Sequence, residues 1–175
     1  MDRATEIIRE LQVSYAMELE TVENFLANSI HLDEAPAERI KHALAENVEI
    51  ELRHARRLAT RIKVLGGRVP GSLELSRNQQ TVQPPVDAAD VVSVTRGVIF
   101  AQETAIAQYQ KILKLCDGFD FVTQDLIVTL VSDEREQRQQ FLGFLAEHTG
   151  QATQDGEAQP KPINKTADRR QRTRI

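Results

Sequence analysis

Cysteine is nearly missing from this 175-residue chain: Cys116 stands alone. That excludes an internal disulfide framework and a zinc site built on paired cysteines. Glycine (8 residues), proline (6) and aromatics (5%) are sparse, and tryptophan is absent. Such a composition argues against a sandwich or barrel of many short strands joined by tight turns. No stretch reaches the roughly 18–20 apolar residues that a membrane-spanning helix needs, so no membrane partner is expected. The opening residues mix charges of both signs and offer no apolar h-region, so no secretory signal is expected. With one thiol and no leader, the expected compartment is the reducing cytoplasm.

What is present suffices for one core. Apolar residues make up 41% and charged residues 27% of the chain, and the length fits one domain. Charge is unevenly placed. Residues 1–150 carry 16 Lys/Arg against 23 Asp/Glu, a net −7, and residues 151–175 carry 6 against 3, a net +3. The late segment has few large apolar residues to bury, so residues 150–175 are expected to form a flexible basic tail after a bundle spanning 1–149. The tail reads as a solubilising terminus or as an electrostatic arm for nucleic acid or an acidic partner.

Four long segments carry helical periodicity. The first, from about Asp2 to Ser29, places Leu11, Tyr15, Glu18, Val22, Phe25 and Ser29 in one stripe. The second, from about Glu34, aligns Ile40, Leu44, Asn47, Glu51, His54, Leu58, Ile62 and Leu65, and Gly66-Gly67 end it. A third, from about Asp87 to Cys116, is read through Val92, Arg96, Ile99, Glu103, Ile106, Gln110 and Leu113. The fourth, from about Asp120 to Thr149, runs through Ile127, Leu130, Glu134, Gln137, Phe141, Phe144 and His148. Helices this long are stable only side by side. Short connections make segments 1 and 2, and 3 and 4, antiparallel neighbours. The aperiodic stretch 67–87 can run the length of the assembly. The expected fold is all-α: an antiparallel four-helix bundle with a long crossover between helices 2 and 3.

The stripes are interrupted at mid-helix by Glu18, by Glu51 and His54, by Glu103, and by Glu134 and Gln137. Four carboxylates in a low-dielectric core repel one another and lose hydration. Two divalent ions would neutralise them. Glu51 and His54 are i, i+3 neighbours and can reach one ion, and Glu134 and Gln137 repeat that offset. Di-iron bundles ask for a Glu from each of two helices and Glu-x-x-His from each of the other two; five of six positions agree. Carboxylates with one imidazole favour iron or manganese, with zinc also open. Metal-free readings remain beside this one, because Glu is abundant and Arg96 could pair with a buried carboxylate. Tyr15, one turn before Glu18, reads as packing or as a group hydrogen-bonded to a ligand.

These residues resemble the bacterioferritins, within the ferritin-like di-iron carboxylate superfamily. Met17-Glu18-Leu19 is similar to the family's first-helix ligand segment. Glu51-Leu52-Arg53-His54-Ala55 is similar to its second-helix motif, and Asp125 to Glu134 to the stretch ending in its fourth-helix bridging Glu. The resemblance implies a dinuclear iron site with Glu51 and Glu134 bridging. Glu18 and His54 would complete one ion, and Glu103 and Gln137 the other. It also implies oxidation of Fe(II) to Fe(III) by dioxygen or peroxide, a ferroxidase activity in iron homeostasis. Three departures carry consequences. Gln137 stands where the family has a second His. Leu52 stands at the haem-ligating methionine, so haem is not expected. The polar tail stands where a short fifth helix follows the bundle, so a homodimer or small homo-oligomer is expected over a large shell. Two other readings stay open: a non-catalytic bundle acting as an interaction protein, and a di-metal oxidase or oxygenase on an organic substrate.

Overall fold

The computed structural model describes residues 2–33 and 35–150. The chain is all-α and contains four long helices: α1 (Arg3–His31), α2 (Glu38–Val64), α3 (Val91–Cys116) and α4 (Phe121–Thr149). Short 3-10 turns lie at Ala35–Ala37, Ser72–Glu74 and Gln80–Val82. Helix starts follow capping chemistry. Asp2, Asp90 and Asp120 each accept the backbone N–H three residues on, from Thr5, Ser93 and Thr123. Gly66 ends the second helix with φ +83°, a left-handed conformation that an L side chain rarely adopts. The proposed tail lies, except for Gly150, outside the described residues.

Main packing runs between α1 and α2 and between α3 and α4, with α1–α3 next and α2–α4 thinnest. Two dry clusters fill opposite ends of the bundle. One gathers Phe25, Leu44, Val98, Phe141 and Phe144; the other gathers Ile7, Leu11, Leu58, Ile112 and Ile127. Polar clasps fix the helices lengthwise. Buried Glu10 on α1 meets Lys111 Nζ at 2.8 Å and Gln108 Nε2 at 2.9 Å on α3. Arg61 on α2 donates to both Asp120 oxygens at 2.8 and 2.9 Å and to Thr123 Oγ1 at 2.7 Å.

The crossover between α2 and α3 is tied to α1. Buried Asn28 donates to Val82 O at 2.7 Å, and Gln79 N donates to Glu20 at 2.8 Å. It also docks onto α3 at Gly97, where a Cβ would lie 2.0 Å from the Thr81 carbonyl oxygen. Only glycine permits that approach. The contact fixes the rotational phase of α3, and the phase differs from the expected one. The buried row is Val91, Thr95, Val98, Gln102, Tyr109, Ile112 and Cys116, one residue earlier than the stripe read from the sequence. Val92, Ile99, Ile106 and Leu113 form a second apolar row beside it, and that row misled the reading.

Candidate metal centre

The layer between the two dry clusters is polar. Glu18 of α1, Glu51 and His54 of α2, and Glu134 of α4 are all buried, with ligand-type atoms within 4.8 Å of one another. Each sits near mid-helix, where an i, i+4 and i, i+3 row of apolar neighbours carries it inward. His54 Nδ1 lies 3.3 Å from Glu51 Oε2, 3.4 Å from Glu134 Oε1 and 3.7 Å from Glu18 Oε2. Although within ion-pair reach of three carboxylates, Nδ1 is in hydrogen-bond alignment with none of them. It, both Glu51 oxygens and Glu134 Oε1 are buried without a partner. A buried unpartnered polar atom costs about 1–3 kcal/mol, and more when charged. A cation at their focus would satisfy these donors together.

Two further groups orient this set. Asp133 Oδ2 stands 3.0 Å from His54 Nε2; with a cation on Nδ1, the remaining ring proton would sit on Nε2 against Asp133. The buried Tyr109 hydroxyl donates to Glu18 Oε1, turning the other oxygen, Oε2, toward His54. Tyr109 fills the ligand-bonding role considered for Tyr15, which is only partly buried and packs against the second dry cluster.

Charge balance explains the titration of the metal-free cluster. Burial and repulsion from Glu134 and Glu18 push Glu51 well above its ordinary value. Burial and the Glu18 charge push Glu134 up to about 7. Burial acts to lower His54, but the carboxylates of Glu134, Glu18 and Glu51 outweigh it and push the imidazole up to about 12. Burial likewise opposes Glu18 ionisation; the contacts with His54, Glu51 and Tyr109 outweigh it and hold Glu18 below its ordinary value.

Gln137 is buried one turn beyond Glu134. The expected sixth member, Glu103, is not brought to this layer. Its carboxylate points outward, 49% exposed, and accepts from Arg138 Nε at 3.0 Å and Nη2 at 2.6 Å. The physical reason is the Gly97 contact, which turns α3 by one residue and places Gln102 inside. Gln102 is 1% exposed and donates through Nε2 to Gln137 Oε1 at 3.2 Å. Gln102, Tyr109 and Asp133 were missed from the sequence. The row Thr95, Val98, Gln102, Tyr109, Ile112 held the signal for the first two. Nothing local marks Asp133.

On the α2–α4 side, a groove of about 640 Å³ reaches Asn47 and Gln137, with Glu46, Glu49, Asp133 and Glu136 along it. On the α1–α3 side, beneath the crossover, a cavity of about 670 Å³ is lined by Val13, Ala16, Met17, Phe100 and Ala101 among others. Among the described residues no helix is long and apolar enough to cross a membrane.

A family model for the ferritin-like domain matches residues 8–149. A search of curated proteins gives no match. The fold is similar to a ferritin-like diiron-carboxylate protein of Bacillus anthracis str. Ames (TM-score 0.73, 18% identity, covering 83% of this chain and 99% of that one). It is also similar to a bacterioferritin-related dodecameric thioferritin of Bacteroides fragilis (TM-score 0.76, 22% identity, 86% and 89%). A third similar structure is the bacterioferritin of Desulfovibrio desulfuricans, described with a diiron site in different catalytic states (TM-score 0.73, 20% identity, 93% and 97%). At these identities the structural likenesses speak for the fold.

Proposed function

Because this chain belongs to the ferritin-like domain family, we propose that it binds iron between Glu18, Glu51, His54 and Glu134 and oxidises Fe(II) to Fe(III) with dioxygen or peroxide. One observation carries the reading: a buried set of three carboxylates and one imidazole whose ligand-type atoms converge while several lack partners. Acid residues in a dry core without a partner are destabilising, and a cation at their focus would offset that cost. Oxygen and imidazole donors suit iron or manganese, and zinc is not excluded by affinity.

Iron held there would supply one-electron chemistry: one tightly held and one more weakly held ferrous ion would together give two electrons to dioxygen, which with two protons becomes hydrogen peroxide. The protein supplies placement. Glu51 and Glu134 approach His54 from two helices, each with a buried oxygen that lacks a partner and would be available to a cation. Tyr109 holds one Glu18 oxygen so that the other faces inward, and Asp133 fixes the His54 tautomer. The acidic groove between α2 and α4 attracts cations toward Gln137. The cavity beneath the crossover, flanked by Met17 and Ala101, supports a second reading in which the same centre oxidises a small organic molecule. Exposed Leu26, Ile30 and Leu52 are in keeping with a homodimer or small homo-oligomer.

The test is ferrous iron added in air to the metal-free protein. Ferric absorbance is expected to rise faster than in buffer alone, and Glu18→Ala is expected to remove the difference. A rate equal to that of buffer would count against ferroxidase activity.

A further inference from the structure

We propose that this centre has one tight ion position, formed by Glu18, Glu51, His54 and Glu134, and that the Gln102–Gln137 amide pair occupies the ground where the ligands of a second tightly held ion would stand. The inference rests on the metal-binding reading above and narrows it to a stoichiometry.

Three observations carry it. The first is the donor set. Glu18 and His54 belong to the side of the cluster where three carboxylate oxygens meet Nδ1 at 3.3–3.7 Å. A second ion would share Glu51 and Glu134, and its own ligands would come from the next turn of α4 and from α3. Those positions hold Gln137 and Gln102, both buried and neutral. The amides are also engaged with each other: Gln102 Nε2 donates to Gln137 Oε1 at 3.2 Å. That bond occupies one lone pair of the oxygen with which Gln137 would ligate; Gln102 Oε1 is buried without a partner, and neither amide brings the negative charge that a second tightly held ion needs.

The second observation is charge. The cluster offers three carboxylates, −3, with a neutral ligating imidazole. Two divalent ions, +4, would leave +1 in a buried pocket. One divalent ion leaves −1 and one trivalent ion leaves zero. A buried net charge without a partner is costly; one or two divalent ions leave a charge of the same size, and the three-carboxylate set is neutral only with a single trivalent ion.

The third is that the missing carboxylate cannot be recruited. Glu103 lies one residue past Gln102, about 100° further round the helix. Rotating α3 to bring it inward would carry Val98 to the place now held by Gly97. A Cβ there meets the Thr81 carbonyl oxygen at 2.0 Å. The crossover therefore locks Gln102 in and Glu103 out, where Arg138 holds it.

The experiment is an anaerobic calorimetric titration of the full-length, metal-free protein with Fe(II), counting ions per chain. One tight ion is expected. A second should bind weaker by on the order of 100-fold or more, given that the loss of even an outer-shell partner costs about 10–100-fold. The double variant Gln102→Glu/Gln137→His is expected to take two tight ions, and Glu103→Gln to leave the wild-type count at one. Two ions of similar affinity in the unaltered chain, or a lower count in Glu103→Gln, would overturn the inference while leaving metal binding intact. No binding at all would overturn the reading beneath it as well. If the double variant does not fold, the wild-type count and the Glu103→Gln count still decide.

Discussion

Phe25, Leu44 and Phe141 close one end of the bundle, and Leu11, Leu58 and Ile127 the other, all without exposed surface. Between them lies a layer of comparable burial built from Glu18, Glu51, His54, Gln102, Glu134 and Gln137. At the ends, burial and packing act together. Phe141 meets Phe144 edge-on at 5.5 Å between ring centroids, and Phe25 lies 6.4 Å away on its other side. In the layer, burial acts against the residues it encloses, since several of their polar atoms lack partners. The ends stabilise the fold and the layer draws on that stability. The contrast separates what holds the bundle together from what it is for.

Five substitutions bear on that contrast. Phe141→Ala empties an aromatic site in a dry end and is expected to cost about 3–5 kcal/mol. Denaturant unfolding measures it, and the metal count of the folded fraction should not change. Glu51→Leu should act in the opposite sense on stability. Both Glu51 oxygens are buried without a partner, at a cost of about 1–3 kcal/mol each, so an apolar residue of similar volume is expected to be neutral or stabilising. Its melting temperature without metal should therefore equal or exceed that of the parent, while the stabilisation that added metal confers on the parent disappears. A Glu51→Leu protein less stable than the parent in the absence of metal would break the contrast.

Asp120 lies beyond the layer, at the start of α4. Burial acts to raise its pKa, but hydrogen bonds from the Thr123 side chain and backbone and from Arg61 hold it below the ordinary 3.8. A carboxyl depressed in the folded state contributes stability that is present above the unfolded value. That contribution is lost as pH falls through the lower folded value. Asp120→Asn keeps the helix cap and loses the charge. It should cost about 1–2 kcal/mol at pH 7, and acid titration of its unfolding free energy should be flatter below about pH 4. The smallest effect is expected at Glu103, whose pair with Arg138 is half-exposed. Glu103→Gln should change stability by less than about 1 kcal/mol. Set beside a large loss of metal affinity in Glu18→Gln, it separates inward from outward carboxylates.

The fold was legible because two helices advertise their buried rows, whereas on α1 the buried row takes Ser14, Thr21 and Asn28 in place of Tyr15, Val22 and Ser29. On α2, Ile40, Leu44, Asn47, Glu51, His54, Leu58 and Ile62 are all buried, and on α4 so are Ile127, Leu130, Glu134, Gln137, Phe141 and Phe144. Those same rows displayed four of the six site residues, and α1 added Glu18. The third helix was misread because it is apolar on two adjacent rows. Its true row carries Thr95, Gln102 and Tyr109, which look like surface residues when taken singly. What sets its phase is a tertiary contact, Thr81 against Gly97, between segments that local periodicity does not connect. Asp133 escaped notice for a related reason. It stands beside Glu134 on a charged helix, and its role exists only because His54 of another helix points at it.

The most direct measurement is anomalous diffraction at the iron edge from crystals of the full chain grown or soaked with Fe(II). The account predicts a strong peak within coordination distance of Glu18, Glu51, His54 Nδ1 and Glu134, roughly 2.0–2.2 Å from ligand atoms as for comparable first-row ions. Crystals that bind iron elsewhere, with His54 still ringed by carboxylates and no peak at their focus, would contradict it.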